Sequence, residues 1–217
     1  MAARGWWIGC GTLVVIGIVV VVLGVGFFAG RASEVSQGVA HARDRYTEIN
    51  REFPFTIPAN GELSTERFSQ YLKVREAVDS AISPLRDGGS ILFRLSALTG
   101  LPEEVSRIQV DALREQSMSL DEYRWISRQL YTTVVAESKR PDPDPELQDL
   151  QRSLEAGLRR GNVGQTNATG GPFDALFIDF TWLKVPEATR SIVREHAGEI
   201  RDMSGAIVAD TILLNMR

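Results

Sequence analysis

Ser119 to Ser138 reads Ser-Leu-Asp-Glu-Tyr-Arg-Trp-Ile-Ser-Arg-Gln-Leu-Tyr-Thr-Thr-Val-Val-Ala-Glu-Ser. Its first four residues are a capping box, in which a serine hydroxyl and a glutamate three residues on can close the free amides of a helix start. Leu120, Tyr123, Ile126, Leu130 and Val134 then recur at spacings of three and four, the period of one helical face. Trp125, Tyr131 and Val135 lie around that face, so this helix is expected to be central, with neighbours on more than one side. A central helix with several apolar sides needs other helices to cover it, and the rest of the chain is read outward from there.

Upstream, Pro102 suits a first helical position, and Glu103 and Glu104 favour the positive end of the helix dipole. Val105, Ile108, Ala112 and Leu113 give that helix its face to about Gln116. A short apolar helix is expected from Ile91 to Leu98, closed by Gly100. Before it, a helix should start at Ser64 or Thr65 and run to about Ser83, with Phe68, Tyr71, Leu72, Val78, Ile82 and Leu85 inward. Pro84 and Asp87-Gly88-Gly89 are read as its end. Residues 53–61 are a break in which Pro54 and Pro58 enforce extended backbone and Asn60-Gly61 makes a turn. Phe53, Phe55 and Ile57 mark this break as an extended strap that packs. Its likeness to the second half of a calcium-binding loop fails, because Arg67 stands where the bidentate glutamate belongs.

Downstream, Pro141, Pro143 and Pro145 alternate with Asp142 and Asp144 in a stiff, exposed connection over 140–145. Leu147, Leu150, Leu154 and Leu158 form the next helix, stopped by Gly161. Residues 161–171 are rich in glycine, asparagine and threonine and read as a flexible surface loop. Asn167-Ala168-Thr169 in that loop is a glycosylation acceptor only in a eukaryotic secretory pathway. Phe173, Leu176, Phe177, Phe180 and Leu183 fit a helical stripe, with a strand as the lesser reading. Pro186 starts a helix through about Met203 with Ile192, Val193, His196 and Ile200 inward. The tail Ile207 to Leu214 docks as a last short helix.

The N-terminal part is different in kind. Trp6 to Gly30 contains no charged residue, and at about 1.5 Å per residue it reaches well past a hydrocarbon core of about 30 Å. Trp6, Trp7, Phe27 and Phe28 sit where aromatic belts form, and Arg4 and Arg31 bracket the run. The run is longer than the apolar core of a cleavable leader, and Cys10 precedes most of it, so an anchor is preferred to a signal peptide or a lipoprotein signal. The expected fold class is therefore all-α, with one N-terminal transmembrane helix followed by a globular domain of seven or eight helices. The parts are a short tail at 1–5, the membrane helix at 6–30, a juxtamembrane amphipathic helix at 31–52 and the helical domain at 53–217.

Val35, Val39, Ala42, Tyr46, Ile49 and Phe53 form a stripe with alternating spacings of four and three. One reading is a parallel homodimeric stalk, continued in the membrane by Gly5-xxx-Gly9 and Gly26-xxx-Gly30. The preferred reading is an amphipathic helix packing on its own domain.

With Arg4 set aside, 23 of the 24 basic side chains and all 28 acidic ones lie outside the first 30 residues. This acidic balance disfavours nucleic acid as a partner. The single cysteine, Cys10, lies in the apolar run, which excludes a disulfide scaffold. Only Lys73, Lys139 and Lys184 are lysine among the basic residues, a habit of GC-rich genomes that points to a bacterial source.

No catalytic, cofactor-binding or metal-ligating residue is assigned. His41 has Asp44 three residues on, and His196 stands beside Glu195 and Glu199, but zinc needs three or four ligands. The acid pairs Glu103-Glu104 and Asp121-Glu122 are explained by helix starts. Asp179, among Phe177, Phe180 and Trp182, is the one carboxylate to choose if a hydrolase is hidden here. The expected function is a membrane-anchored, non-enzymatic helical module, extracytoplasmic in a bacterial inner membrane, for protein interaction or envelope assembly. Its partners would be the lipid bilayer and another protein. The alternative is a ligand-binding sensor acting through a partner, which a buried charged or aromatic pocket would favour, since the five residues before the anchor hold no output domain.

Overall fold

The helix quoted first does sit at the centre. It spans Leu120–Glu137, and its buried residues cover a broad face, with Asp121, Arg128 and Ala136 exposed on the other side. The computed structural model describes residues 41–87, 103–137, 140–160 and 185–215. Among these there are eight α-helices and no strand. We label them α1 (41–52), α2 (Thr65–Asp87), α3 (Glu103–Glu115), α4 (Leu120–Glu137), α5 (Pro145–Arg160), α6 (Glu187–Glu195), α7 (Ala197–Asp202) and α8 (Ile207–Asn215), with a 3₁₀ turn at Ser204–Ala206 before the last. Around α4 pack α2, α5, α6 and α8, while α3 lies along α2 and α7 along α5. The described helices share a main apolar core, and a small satellite cluster forms around Val78, Ile82, Val105 and Ala209.

Local chemistry explains the helix ends. The Ser64 hydroxyl accepts the Arg67 amide at 3.2 Å and starts α2. The Ser119 hydroxyl accepts the Glu122 amide at 3.1 Å, which is half of the expected capping box. The other half is absent: the Glu122 carboxylate turns to Arg67, accepting from its Nε at 2.7 Å. The end of α3 is closed by Ser117, whose φ of 48° is the one positive value among the described non-glycine residues. The amide of Met118 donates to the Leu113 carbonyl at 2.9 Å, a helix stop more often made with glycine. Pro145 opens α5, and Asp144 caps it, its Oδ1 accepting the Glu146 amide at 3.0 Å.

Three expectations need correction. Pro84 does not end α2, which runs on to Asp87. The proline lacks an amide for the Ser80 carbonyl. Ser80 lies on the exposed face, where water can satisfy that carbonyl. The helix expected from Pro186 to Met203 is two helices, broken at His196 (φ −100°, ψ 13°). The strap packs through Phe53 and Phe55, the latter 5.5 Å from the Trp125 ring, but Ile57 is 59% exposed.

The stripe of α1 belongs to the domain's own core. Ala42, Tyr46 and Ile49 are buried, and the Tyr46 hydroxyl donates to Gln109 on α3 at 2.7 Å. The homodimer expectation therefore rests on residues before 41, outside the described ones, as do Val35 and Val39. No helix among the described residues is long and apolar enough to cross a membrane. The run Trp6 to Gly30, the helix expected at Ile91 to Leu98, the loop 161–171 and the stripe from Phe173 to Leu183 also lie outside them.

Gly157 on α5 shows how closely the helices approach. A Cβ there would stand 2.5 Å from the Ser204 carbonyl oxygen and 3.1 Å from the Ile207 side chain. Gly157→Ala gains helix propensity of about 1 kcal/mol but must push a backbone segment aside, and overpacking costs about 1–3 kcal/mol. Thermal unfolding should therefore show a lower midpoint for Gly157→Ala. Gly198→Ala, where nothing lies within 4 Å, should raise it.

Candidate functional site

In the stripe that α2 turns inward, Phe68, Tyr71, Leu72, Val78 and Ile82 are buried as expected, and so is Arg75. Arg75 is in phase with them, four residues after Tyr71 and three before Val78. A guanidinium with no exposed surface needs a counter-charge, because an unpaired buried ion costs several kcal/mol, of the order of the whole stability of a domain. The counter-charge is Asp210 on α8, also fully buried, 135 residues further along the chain.

Three tyrosines complete the cluster. Arg75 NH1 donates to the Tyr71 and Tyr131 hydroxyls, each at 3.0 Å, and to Asp210 Oδ2. The Tyr123 hydroxyl donates to Asp210 Oδ1 at 2.7 Å, and the Tyr131 hydroxyl donates to Oδ2. The Ser127 hydroxyl reaches the Tyr71 oxygen at 3.3 Å. Tyr71 and Tyr123 pack ring against ring, with centroids 4.8 Å apart, and Phe68 stacks on Tyr71 at 5.6 Å. Tyr123, Ser127 and Tyr131 lie four residues apart, so one face of α4 supplies three hydroxyls to one place. Arg75 Nε finds no hydrogen-bond partner among the described residues.

The electrostatics follow from burial. Desolvation pushes the Tyr71 hydroxyl up to about 12, against the opposing pull of Arg75. Burial also holds Tyr123 and Tyr131 well above the ordinary tyrosine value, with the Asp210 charge adding to it. For Arg75, burial works to lower the pKa, and Asp210 together with the tyrosines overcomes it and keeps the guanidinium charged. Tyr46, on α1, is likewise raised by burial. The cluster thus holds a charged guanidinium and three neutral hydroxyls through the ordinary pH range.

A second polar knot lies at the C-terminal end of α4. The Glu137 carboxylate, 2% exposed, accepts from Arg190 Nε at 2.7 Å and NH2 at 2.9 Å and from the Asp144 amide at 2.7 Å. These hydrogen bonds from Arg190 hold its pKa below the ordinary glutamate value. Arg194 stands 3.5 Å from Asp144, so α4, α5 and α6 are tied at one corner.

The residues considered from sequence fall elsewhere. His41 and Asp44 are exposed on α1. His196 is half-buried, its Nδ1 3.0 Å from Glu199 and its ring set edge-on to Phe68 with centroids 5.4 Å apart; the His-x-x-Glu pair forms. Among the described residues no three His, Cys, Asp or Glu side chains converge as a metal would need. Glu103 and Glu104 lie at the start of α3, and Asp121 is exposed beside Arg124 at the start of α4. Glu195 is exposed. Asp179 lies outside the described residues.

No family model, characterised protein or solved structure matches this chain. The cluster is therefore read from its geometry alone. Its charged and hydroxyl groups answer one another, and every one of them is shut from solvent.

Two measurements test this account. All four tyrosines of the chain, Tyr46, Tyr71, Tyr123 and Tyr131, are buried with raised pKa values. Absorbance titration should show no tyrosinate through about pH 10 while the helical signal persists. Because the folded pKa lies above the unfolded one, their contribution is intact below about pH 10 and is lost as pH rises further. Tyrosinate should then appear together with unfolding. In the second, Arg75→Met and Asp210→Leu should each destabilise by about 3–5 kcal/mol, since each strands a buried partner. The pair Arg75→Met with Asp210→Leu should recover part of that loss; strict additivity in this cycle would show that the two charges do not interact.

Proposed function

We propose that this chain is a membrane-tethered helical module that acts by protein interaction, not by chemistry of its own. The observation that carries the reading is the closed cluster. Arg75, Asp210 and the tyrosines have the composition of a reactive site, but they are sealed inside and engaged with one another. Groups placed so serve to fix helix positions, which leaves shape and surface as what the described domain offers. The tether is read from the uncharged run Trp6 to Gly30. We place the domain on the extracytoplasmic side, in a bacterial envelope, where it would contact an envelope protein.

The sensor reading keeps one point in its favour. The buried charge and aromatic rings it calls for exist, and Arg75 Nε is unpartnered among the described residues. Against it, the Asp210 carboxylate already occupies the place an anionic ligand would take on Arg75. Asp179 as a hydrolase carboxylate lies outside the described residues.

Paired C-terminal reporters, each active on only one side of a membrane, test the tethered reading in cells. The extracytoplasmic reporter should be active in the full chain and lost when residues 6–30 are deleted. Activity of the cytoplasmic reporter in the full chain would reverse the orientation, and membrane association surviving the deletion would remove the anchor.

A further inference from the structure

The connection between α4 and α5 contains two aspartate–proline peptide bonds, Asp142–Pro143 and Asp144–Pro145. This linkage is open to acid for a chemical reason. The aspartate carboxyl can reach its own carbonyl carbon in a five-membered ring. The proline nitrogen, part of a tertiary amide, takes up a proton more readily than an ordinary amide nitrogen and leaves as an amine. The fold makes the two bonds unequal.

Asp144 is held at every group the reaction must move. Its Oδ1 accepts the amides of Glu146 at 3.0 Å and Leu147 at 3.4 Å, and its Oδ2 faces Arg194 at 3.5 Å. Its carbonyl accepts the Gln148 amide at 3.0 Å, the first bond of α5, and its own amide donates to Glu137 at 2.7 Å. Attack by this carboxyl would require leaving the cap, breaking that first helical bond and pulling away from Arg194. Asp142, two residues earlier, is exposed and makes no hydrogen bond or ion pair among the described residues. Its carboxyl is free to turn onto its own carbonyl.

We propose that Asp142–Pro143 is a self-cleavage site: in mild acid the Asp142 side chain cuts the chain there, while the fold protects Asp144–Pro145. The side-chain carboxyl oxygen adds to the Asp142 carbonyl carbon, and the bond from that carbon to the Pro143 nitrogen breaks. The nitrogen takes a proton from the acidic solvent and becomes a free secondary amine. The cyclic anhydride left on Asp142 takes up one water and opens to two carboxyls. The net change is hydrolysis of one peptide bond, with water as the only co-reactant.

The nick would not release the pieces. The first carries α1 to α4 and the second α5 to α8, and Asp210 is bound from the first piece by Arg75, Tyr123 and Tyr131. Glu137 and Arg190 join the pieces a second time. The cut protein should keep its helical content and its intact native mass until it is denatured.

The test uses the full chain in detergent micelles, held near the ordinary aspartate pKa of about 3.9 and followed by mass spectrometry and circular dichroism. Folded chain should yield fragments 1–142 and 143–217, seen only after denaturation. Chain unfolded in denaturant at the same pH should be cut at both bonds. Asp142→Asn should abolish the cut at 142, and Asp144→Asn should leave it in place. Equal cutting of both bonds in the folded chain would overturn the proposal. So would a folded chain that stays whole while the unfolded one is cut, a cut at 142 that survives Asp142→Asn, or loss of the helical signal before any cut appears.

Discussion

The pairing of Arg75 with Asp210 is the constraint on which the arrangement of helices depends. A buried guanidinium and a buried carboxylate each tolerate only one geometry, because leaving either unpaired costs several kcal/mol. The pair therefore sets how α8 lies against α2, and the tyrosines of α4 set both against the centre. Apolar packing alone would be more permissive. Ile207, Val208, Ala209 and Leu213 are all buried on α8, so an apolar helix of this kind could slide or turn and still bury most of its surface. Asp210 removes that freedom. Similar volumes of apolar side chain could supply as much stability, so the pair is best understood as fixing register.

This view also accounts for how the C-terminal part of the chain is held. α5 to α8 meet the earlier helices at two polar points, the Arg75 cluster inside and the Glu137–Arg190 knot at a corner. The buried leucines of α5 and the close approach at Gly157 add apolar packing. Two fixed points define an orientation, where one would leave a pivot. The Pro-rich connection adds to this, because Asp144 caps α5 with its side chain while its amide is bound by Glu137.

Much of the helix pattern was legible in the sequence, since it rests on local physics. The capping box and the three-and-four spacing located α4, the four leucines located α5, and the α1 stripe identified the face that packs on its own domain. One failure was also local in origin. Pro84 was read as a stop because proline removes one hydrogen bond. A single lost bond on an exposed face near a helix end is small beside the packing of Val78 and Ile82. The break at His196 carried no such mark: the residue leaves helical geometry as its ring meets Phe68, 128 positions earlier in the chain.

The central cluster was missed for a different reason. Its partners are far apart in sequence, and no spacing rule links position 75 to position 210. A signal was nevertheless present at each end. Arg75 falls in phase with Tyr71, Val78 and Ile82 on the buried face, and Asp210 interrupts an otherwise apolar tail. A charge on the polar side of a helix is ordinary and carries no information. A charge on the apolar side cannot be buried alone, so each such residue implies an opposite charge elsewhere on a buried face. Arg75 and Asp210 both meet that condition and have opposite sign. By that rule Asp210 is a candidate partner for Arg75, and their pairing brings α8 to α2.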